Sequence, residues 1–348
     1  MGRTNIRLAT DKDESEVIAF IDAYWKKNHI FVREPEVFSW QYRNNDGRWN
    51  IIIAESQDGN EEKSIVGILG FIPMGHYDKN LGDDCIFLAV WKVRDDICPP
   101  GVGLQMLKHI KKTFSPSFIG AIGISDMVKP IYRALGYTTG RLDQLAFFNP
   151  SFSENYKIAT VPDNILCSTE TLSDAVNFSR IDEEDIDLIK KVDDIALESS
   201  PKKSFNYIKN RYLKHPWYNY KVKVVIFNNS RTAIIVWREV ELGNRKALRV
   251  VDIIGEREWL EHSGSAFLEE TKAAEAEYIE IMASGINLDA LKSAGFISAE
   301  DYEGLIIPNY FSPYVNENIE ISYAYKLFQS SGSCSAFFRA DSDQDRPN

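Results

Sequence analysis

Two glycines, Gly101 and Gly103, stand between an apolar run and the start of a helical pattern. Glycine adopts positive φ at little cost and lets a ligand come close to the backbone. The N–H groups of Gly101, Val102, Gly103 and Leu104 open that helix and have no partner within it. The helix dipole places partial positive charge at the same end. Such a turn can hold phosphate or pyrophosphate. It is neither of the common nucleotide loops: no Gly-Lys-Ser/Thr follows, and the third glycine of a dinucleotide fingerprint is missing. A ligand-free strand-to-helix connection uses the same two glycines, so their spacing alone leaves both readings open.

The flanking residues position the turn. Ile86–Val93 is short, β-branched and aromatic, the composition of a buried strand. Leu104, Leu107 and Ile110 recur at helical spacing. Phe118–Ile124 reads as a second strand. Asp126–Leu135 reads as a short helix ended by Gly136, which suits the left-handed position after a helix.

This stretch resembles the acetyl-CoA-binding core of the Gcn5-related N-acetyltransferase (GNAT) superfamily. The family pattern Leu-x-Val-x-Pro-x-x-Arg/Gln-x-x-Gly-x-Gly/Ala is met in spacing by Trp91-Lys-Val93-Arg-Asp95-Asp-Ile-Cys98-Pro-Pro-Gly101-Val-Gly103. Its later pattern, Asn-x-x-Ala-x-x-x-Tyr-x-x-x-Gly-Phe, falls on Ser125, Val128, Tyr132, Gly136 and Tyr137. Four departures stand out. Asp95 replaces Pro, Cys98 replaces Arg or Gln, Ser125 and Val128 replace Asn and Ala, and Pro99 and Pro100 supply no N–H groups to a phosphate cradle.

The resemblance implies roles for particular residues. Trp91 and Val93 would bind the pantetheine arm through backbone groups, with their side chains in the core. Cys98, Gly101, Val102, Gly103 and Leu104 would face the pyrophosphate, with Ser125 at the second motif. Tyr132 would protonate the departing thiolate, or else be a packed helical tyrosine. Asn28–Arg43 falls where the family binds its acceptor. There His29 would take a proton from the amine, directly or through water, and Trp40 and Tyr42 would stack on a sugar ring or base. The plainer roles are a structural histidine and core aromatics.

Taken in order, the chain opens with a strand at Asn5–Ala9 and a helix capped by Thr10, with Ile18, Ile21 and Trp25 on one face. Asn50–Glu55 and Ile65–Met74 form a hairpin around Asp58–Lys63. Gln144–Phe148 closes the first half. Residues 149–172 read as a linker between a domain at 1–148 and another at 173–348. The second half repeats the element order: strand at Asn177–Arg180, helices at Asp182–Leu197 and Ser204–His215, strands at Val222–Asn228, Thr232–Val240 and Ala247–Ile254, helix at Ser263–Glu277, strand at Tyr278–Ala283, and a short helix ending at Gly295-Phe296. It lacks the glycine turn. Glu256-Arg-Glu258-Trp259 stands there instead, and a carboxylate would repel a pyrophosphate. The expected fold class is α+β: two tandem GNAT-like domains, each a twisted mixed sheet flanked by helices, with a degenerate cofactor site in the second.

Composition narrows the partners. At 348 residues the chain has room for two domains. A net charge of −11 argues against a nucleic-acid binder that works through phosphate contacts. The four cysteines show no paired spacing, consistent with reduced thiols in a cytoplasm. No apolar run approaches the ~18 residues a membrane helix needs, and the polar N-terminus reads as no signal peptide. His76 and His109 lack partners at metal spacing, so no metal is expected.

The expected function is therefore transfer of an acyl group, acetyl first, from acyl-CoA as co-substrate to a small-molecule amine. Phe337–Asn348 resembles the ends of acyltransferase-like proteins of bacterial polysaccharide biosynthesis, which points to an amino sugar or its nucleotide-linked form. Alternating acidic and polar residues there also read as a frayed tail. The alternatives are a non-catalytic GNAT-like module that binds a metabolite or partner, and an aminoacyl or peptidyl transferase.

Overall fold

The computed structural model describes residues 3–44, 46–57, 64–153, 155–163, 165, 173–181, 184, 186–198, 201–328 and 336–347. The expected hairpin turn, part of the expected linker, Cys167 and Cys334 lie outside the described residues. The chain divides into two compact units. One comprises Met1–Thr139, Tyr323–Gly332 and Ser342–Asn348; the other comprises Gly140–Ser322 and Ser333–Asp341.

The first unit begins with β1 (Arg3–Thr10), α1 (Glu14–Phe20), α2 (Ile30–Arg33) and α3 (Pro35–Tyr42). Next come β2 (Arg48–Gln57), β3 (Ser64–Pro73), β4 (Cys85–Val93), α4 (Val102–Phe114), β5 (Phe118–Ile124), α5 (Lys129–Ala134) and β6 (Thr138–Arg141). The sheet is completed from far along the chain by β16 (Ser322–Leu327), in the order β1-β2-β3-β4-β5-β16-β6. Only β4 and β5 run parallel among its described pairings; β1 to β4 are antiparallel neighbours. One face is covered by α4, whose Val102, Met106, Leu107 and Ile110 recur at helical spacing and pack on Ile86, Leu88 and Ile119 with Tyr132 and Tyr137. Phe31, Phe38 and Tyr42 of α2 and α3 form a buried ring cluster with Trp49.

The second unit contains β7 (Asp143–Phe148), β8 (Val176–Arg180), α6 (Ile186–Leu197), α7 (Phe205–Ile208), β9 (Lys221–Phe227), β10 (Ser230–Leu242) and β11 (Arg245–Gly255). It continues through α8 (Gly264–Ala273), β12 (Ala276–Ser284), α9 (Leu288–Ser293), β13 (Ile297–Ser298), a small hairpin of β14 (Tyr310–Phe311) and β15 (Tyr314–Val315), and β17 (Phe337–Phe338). Its sheet runs β13-β7-β12-β11-β10-β9-β8, with β17 also on β12. Again one central pair, β11 and β12, is parallel. Two mixed sheets with flanking helices match the expected fold class.

Three placements differ from the sequence reading. The expected closing strand of the first half, β7, pairs with β12 in the second sheet. Strand β16, unforeseen, takes a place in the first sheet between β5 and β6. Residues expected as linker are packed: the buried Glu277 carboxylate accepts the N–H groups of Lys157 and Ile158, and Ile158 and Ala159 join a core cluster.

Candidate active site

The parallel strands β4 and β5 pair only from Cys85 to Leu88 and from Phe118 to Ala121. Beyond that they part. A bulge lies at the parting: Leu69 faces Trp91 and Phe71 faces Leu88, so Ala89 and Val90 oppose the single residue Gly70. An extra residue of this kind bends a strand and re-aims the residues beyond it. The Arg94 N–H bonds back to the Val66 carbonyl on β3. Backbone groups alternate in direction along a strand, so Trp91 and Val93 turn theirs toward the opening. Their side chains pack on the α4 face of the sheet.

Helix α4 starts beside that edge. Gly101 sits at its N-cap with φ +87, a conformation that favours glycine, and no atom lies within 4 Å of the position a Cβ would take. The Val102 N–H makes a long bond of 3.4 Å to the Pro99 carbonyl. Intrahelical bonding begins with Gln105 N–H to the Gly101 carbonyl. Gly103 lies under the Trp91 indole, where a Cβ would come 3.2 Å from Nε1. Val102 is buried; Gly103 and Leu104 are half-buried. The two acids of the loop are neutralised locally, Asp95 by Lys92 and Asp96 by Arg94. Cys98 is half-buried, and burial pushes its thiol up, away from a reactive thiolate. Ser125 is exposed just after β5, its carbonyl accepting the Val128 N–H.

Tyr132 projects from α5 into this region. Its ring meets Trp91 edge-on at 6.1 Å and Tyr137 at 5.1 Å. Burial, with a smaller contribution from Tyr137, raises its pKa above the ordinary phenol value. The phenol therefore stays protonated through neutral pH, the state a proton donor requires.

The expected acceptor residues fare differently. His29 is fully buried and caps α2, its Nδ1 accepting the Phe31 N–H at 3.2 Å. Arg346 Nε faces its other nitrogen at 3.4 Å. Burial first, then the Arg346 charge, lowers its pKa to about 3. A proton acceptor needs a free lone pair and a pKa nearer neutrality, so His29 serves the fold and is no base for the amine. Tyr42 is likewise buried. Its hydroxyl accepts from Gln41 Nε2 and from the Val90 N–H, and donates toward Asp343. A ring so enclosed cannot stack on a sugar. Trp40 is half-buried against Tyr77, and its carbonyl is 2.9 Å from His76 Nε2.

The sequence reading missed a further component. The chain's last described residues, for which the sequence left a frayed tail as one of two readings, pack against β4, β5 and α3: buried Ser342 Oγ donates to the Leu88 carbonyl at 2.9 Å, buried Asp343 faces Tyr42, and half-buried Gln344 lies on Gly123. The signal available was Phe337-Phe338 immediately before them, an apolar anchor unsuited to a frayed end.

No protein-family model matches the chain, and no curated protein matches it in sequence. Solved structures do match. A GCN5-related N-acetyltransferase from Anabaena variabilis superposes with a TM-score of 0.58 at 10% identity, covering 94% of this chain and 73% of that one. The chain has the GNAT fold. A GCN5-related N-acetyltransferase from Sphaerobacter thermophilus matches with a TM-score of 0.50 at 9% identity, covering 93% of this chain and 95% of that one. A GCN5-related glucosamine N-acetyltransferase region of a fungal multi-domain GH3 β-N-acetylglucosaminidase gives 0.52 at 12% identity, over 94% of this chain and 38% of that one.

The second unit's GNAT-like strand pair carries no such opening. Strands β11 and β12 part after Val250 and Ile281, but β12 then takes β17 as an antiparallel partner at Ala283 and Ser284. The segment after β11 is acidic, with Glu258 and Glu261 in its first turn and Trp259 buried. Among the described residues no helix is long and apolar enough to cross a membrane, and no cluster of three potential metal-binding side chains occurs.

Proposed function

We propose that the first unit is an acyl-CoA-dependent N-acyltransferase, with acetyl the first acyl group to test. One observation carries this reading: the unpaired edge of Trp91 and Val93 opens beside the Gly101–Leu104 helix start, with Tyr132 against Trp91. An extended arm with amide groups can add to such an edge as a strand would. The helix start suits the pyrophosphate at the arm's far end.

The step follows from that placement. The amine nitrogen attacks the thioester carbonyl carbon while both are held within reach, which supplies much of the rate. The open-edge N–H groups, Trp91 first, stabilise the oxyanion. The carbon–sulfur bond then breaks, the amide forms, and Tyr132 gives its proton to the departing thiolate. The amine must arrive neutral. Its second proton passes to solvent and ultimately restores Tyr132.

For the acceptor we propose an amino sugar or its nucleotide-linked form. Support comes from the resemblance of the chain's final residues to polysaccharide acyltransferases and from the fungal glucosamine N-acetyltransferase region among the structural matches. A cytoplasmic setting follows if acyl-CoA is the donor. Pro99 and Pro100 remove two donors from the cradle and favour one competing reading, a non-catalytic binding module. Calorimetric titration with CoA and acetyl-CoA, followed by thiol release with a panel of amino sugars, tests both. Binding with no turnover on any amine favours the module; no binding of either nucleotide overturns the proposal.

A further inference from the structure

Past the last pair, Leu88 and Ala121, β4 continues Ala89-Val90-Trp91-Lys-Val93 and β5 continues Ile122-Gly-Ile124; the bulge at Ala89 and Val90 and the positive φ of Gly123 start the parting, while Val90, Trp91, Val93, Ile122 and Ile124 are of types that suit strands. A continued parallel ladder would offer the Leu88 carbonyl the next β5 amide, that of Ile122. Instead that carbonyl accepts the Ser342 hydroxyl.

The next two tail residues act on the neighbouring elements. Asp343 sits 3.5 Å from the Tyr42 hydroxyl, and Tyr42 in turn holds the N–H of Val90 in the bulge. Gln344 lies against Gly123 of β5, where φ is +81 and a Cβ would overlap the Gln344 side-chain amide. Glycine at 123 therefore both turns β5 outward and leaves room for Gln344. Three consecutive residues thus meet β4, α3 and β5 in turn. Arg346 fastens them, pairing with Asp343 at 2.8 Å and lying over the Trp25 ring.

We propose that Ser342, Asp343 and Gln344 form a wedge that keeps β4 and β5 apart, so that the slot for the acyl-CoA arm exists before the ligand arrives. This rests on the acyl-CoA reading of the first unit. The three are positioning residues. A slot already open avoids the cost of unzipping strands on binding, which is how preorganisation raises affinity. Without the wedge the strands zip further and the binding-competent fraction falls.

The test uses the full chain and CoA itself. In Ser342→Ala/Gln344→Ala the CoA dissociation constant should rise about ten-fold, as expected if the open form drops to about a tenth of the population. Amide exchange at Ile122 should slow in the same protein, because the amide gains the Leu88 carbonyl as partner. A merely structural loss would speed exchange there. Ser342→Thr, which keeps a hydroxyl, should restore most of the affinity lost by Ser342→Ala. Should the double variant fail to fold, the single variants carry the same comparison at smaller amplitude. CoA affinity unchanged or tighter in the variants, with binding intact in the parent protein, overturns the wedge alone; tighter binding would make the tail a plug. No CoA binding by the parent protein overturns the wedge and the acyl-CoA reading together.

Discussion

The parallel pair β4/β5 and the parallel pair β11/β12 follow the same plan to the point where they part. In each the first strand carries an extra residue just after the last parallel pair. Ala89 and Val90 oppose Gly70 in one, and Val251 lies between the partners of Val236 and Trp237 in the other. In each the strands separate immediately before that irregularity, after Leu88 and after Val250. The difference lies in what enters the gap. Phe337 and Phe338 enter the second as a strand, making backbone pairs with β12. The first meets only side chains of Ser342 and Gln344 at its inner end, and the Trp91 and Val93 backbone stays open. A bulged, parted strand pair is thus a scaffold feature. Whether it is a ligand slot depends on whether the chain supplies its own occupant.

The charges show the same contrast. Lys203 lies buried between Asp252 of β11 and Asp341, at 2.5 and 2.8 Å, and Tyr212 donates to Asp252. Burial alone would lower the lysine's pKa, but the two carboxylates outweigh it and raise it. The Asp341 carboxylate also accepts the Phe338 N–H, which ties the charge cluster to the inserted strand. At the open pair the loop acids are exposed and matched by Lys92 and Arg94, so an incoming anion meets little net repulsion.

The largest expected effect asks whether the open gap is catalytic. Tyr132→Phe keeps the ring contacts with Trp91 and Tyr137 and removes only the hydroxyl. Loss of a general acid should slow acyl transfer ~10²–10⁴-fold. CoA affinity should stay within a few-fold, since a hydrogen bond to a thioester sulfur matters little in the ground state. Steady-state thiol release beside calorimetry checks this. Wild-type turnover would make the tyrosine structural, and a joint fall in binding and rate would place it in the pantetheine pocket instead.

Next comes the closed gap. Lys203→Met leaves Asp252 and Asp341 buried without their cation, and removing one partner of such a cluster costs about 3–5 kcal/mol. Chemical denaturation should show a loss of that size, with faster amide exchange at Phe338. A cost under about 1 kcal/mol, the scale of an exposed ion pair, would mean the strand is held by its apolar contacts.

Swapping charges between the two helix starts sharpens the comparison. Gly103→Asp brings a Cβ against the Trp91 indole and a negative charge to the proposed phosphate cradle. CoA affinity should fall about ten-fold or more, some 1.4 kcal/mol. Glu258→Lys makes the second unit's counterpart more basic, yet should add no second CoA site, because β17 still occupies the gap. Two CoA molecules bound per chain in that variant would show that charge, and not the inserted strand, had closed it.

How much of this was legible depends on sequence distance. The strand, glycine turn, helix and strand around Gly101 are local, and their apolar spacing gave the elements within a few residues. For Trp91 and Val93 the matched pattern implies a backbone role, and that role belongs to the proposal. The tail was not legible. Ser342 reaches Leu88 across 254 residues and Asp343 reaches Tyr42 across 301, and no local pattern encodes such pairs. An alternation of acids looks like a solvated end until each acid's partner is known. His29 was misjudged for a related reason: what decides its pKa is burial and Arg346, 317 residues away. The exchange of β7 and β16 between sheets escaped too, since period-two apolar patterns mark a strand without naming the sheet it joins.

The smallest expected effect is a pH dependence confined to the tail's hold on the first unit. In that unit the tail's cation, Arg346, lies between the Asp343 carboxylate and the neutral His29 ring, so its surroundings include a group that can gain a proton, whereas the second unit's cluster joins Lys203 to two carboxylates. His29 titrates near 6.5 when unfolded and at about 3 when buried. Between those values the unfolded chain binds more protons than the folded one, so stability is complete above pH 6.5 and falls as pH drops toward 3. The slope is at most about 1.4 kcal/mol per pH unit. Protonating His29 also places two cations together, which should loosen Arg346 first. His29→Asn keeps a side-chain acceptor at the cap of α2 and removes the titration. Denaturation midpoints at about pH 7 and about pH 4.5, with amide exchange at Asp343–Arg346, measure both consequences. The parent protein should lose stability and tail protection across that interval, and the variant should lose markedly less of each. An equal slope in His29→Asn would move the titrating group elsewhere, with His109, lowered by its own burial and by Lys112, the next to replace.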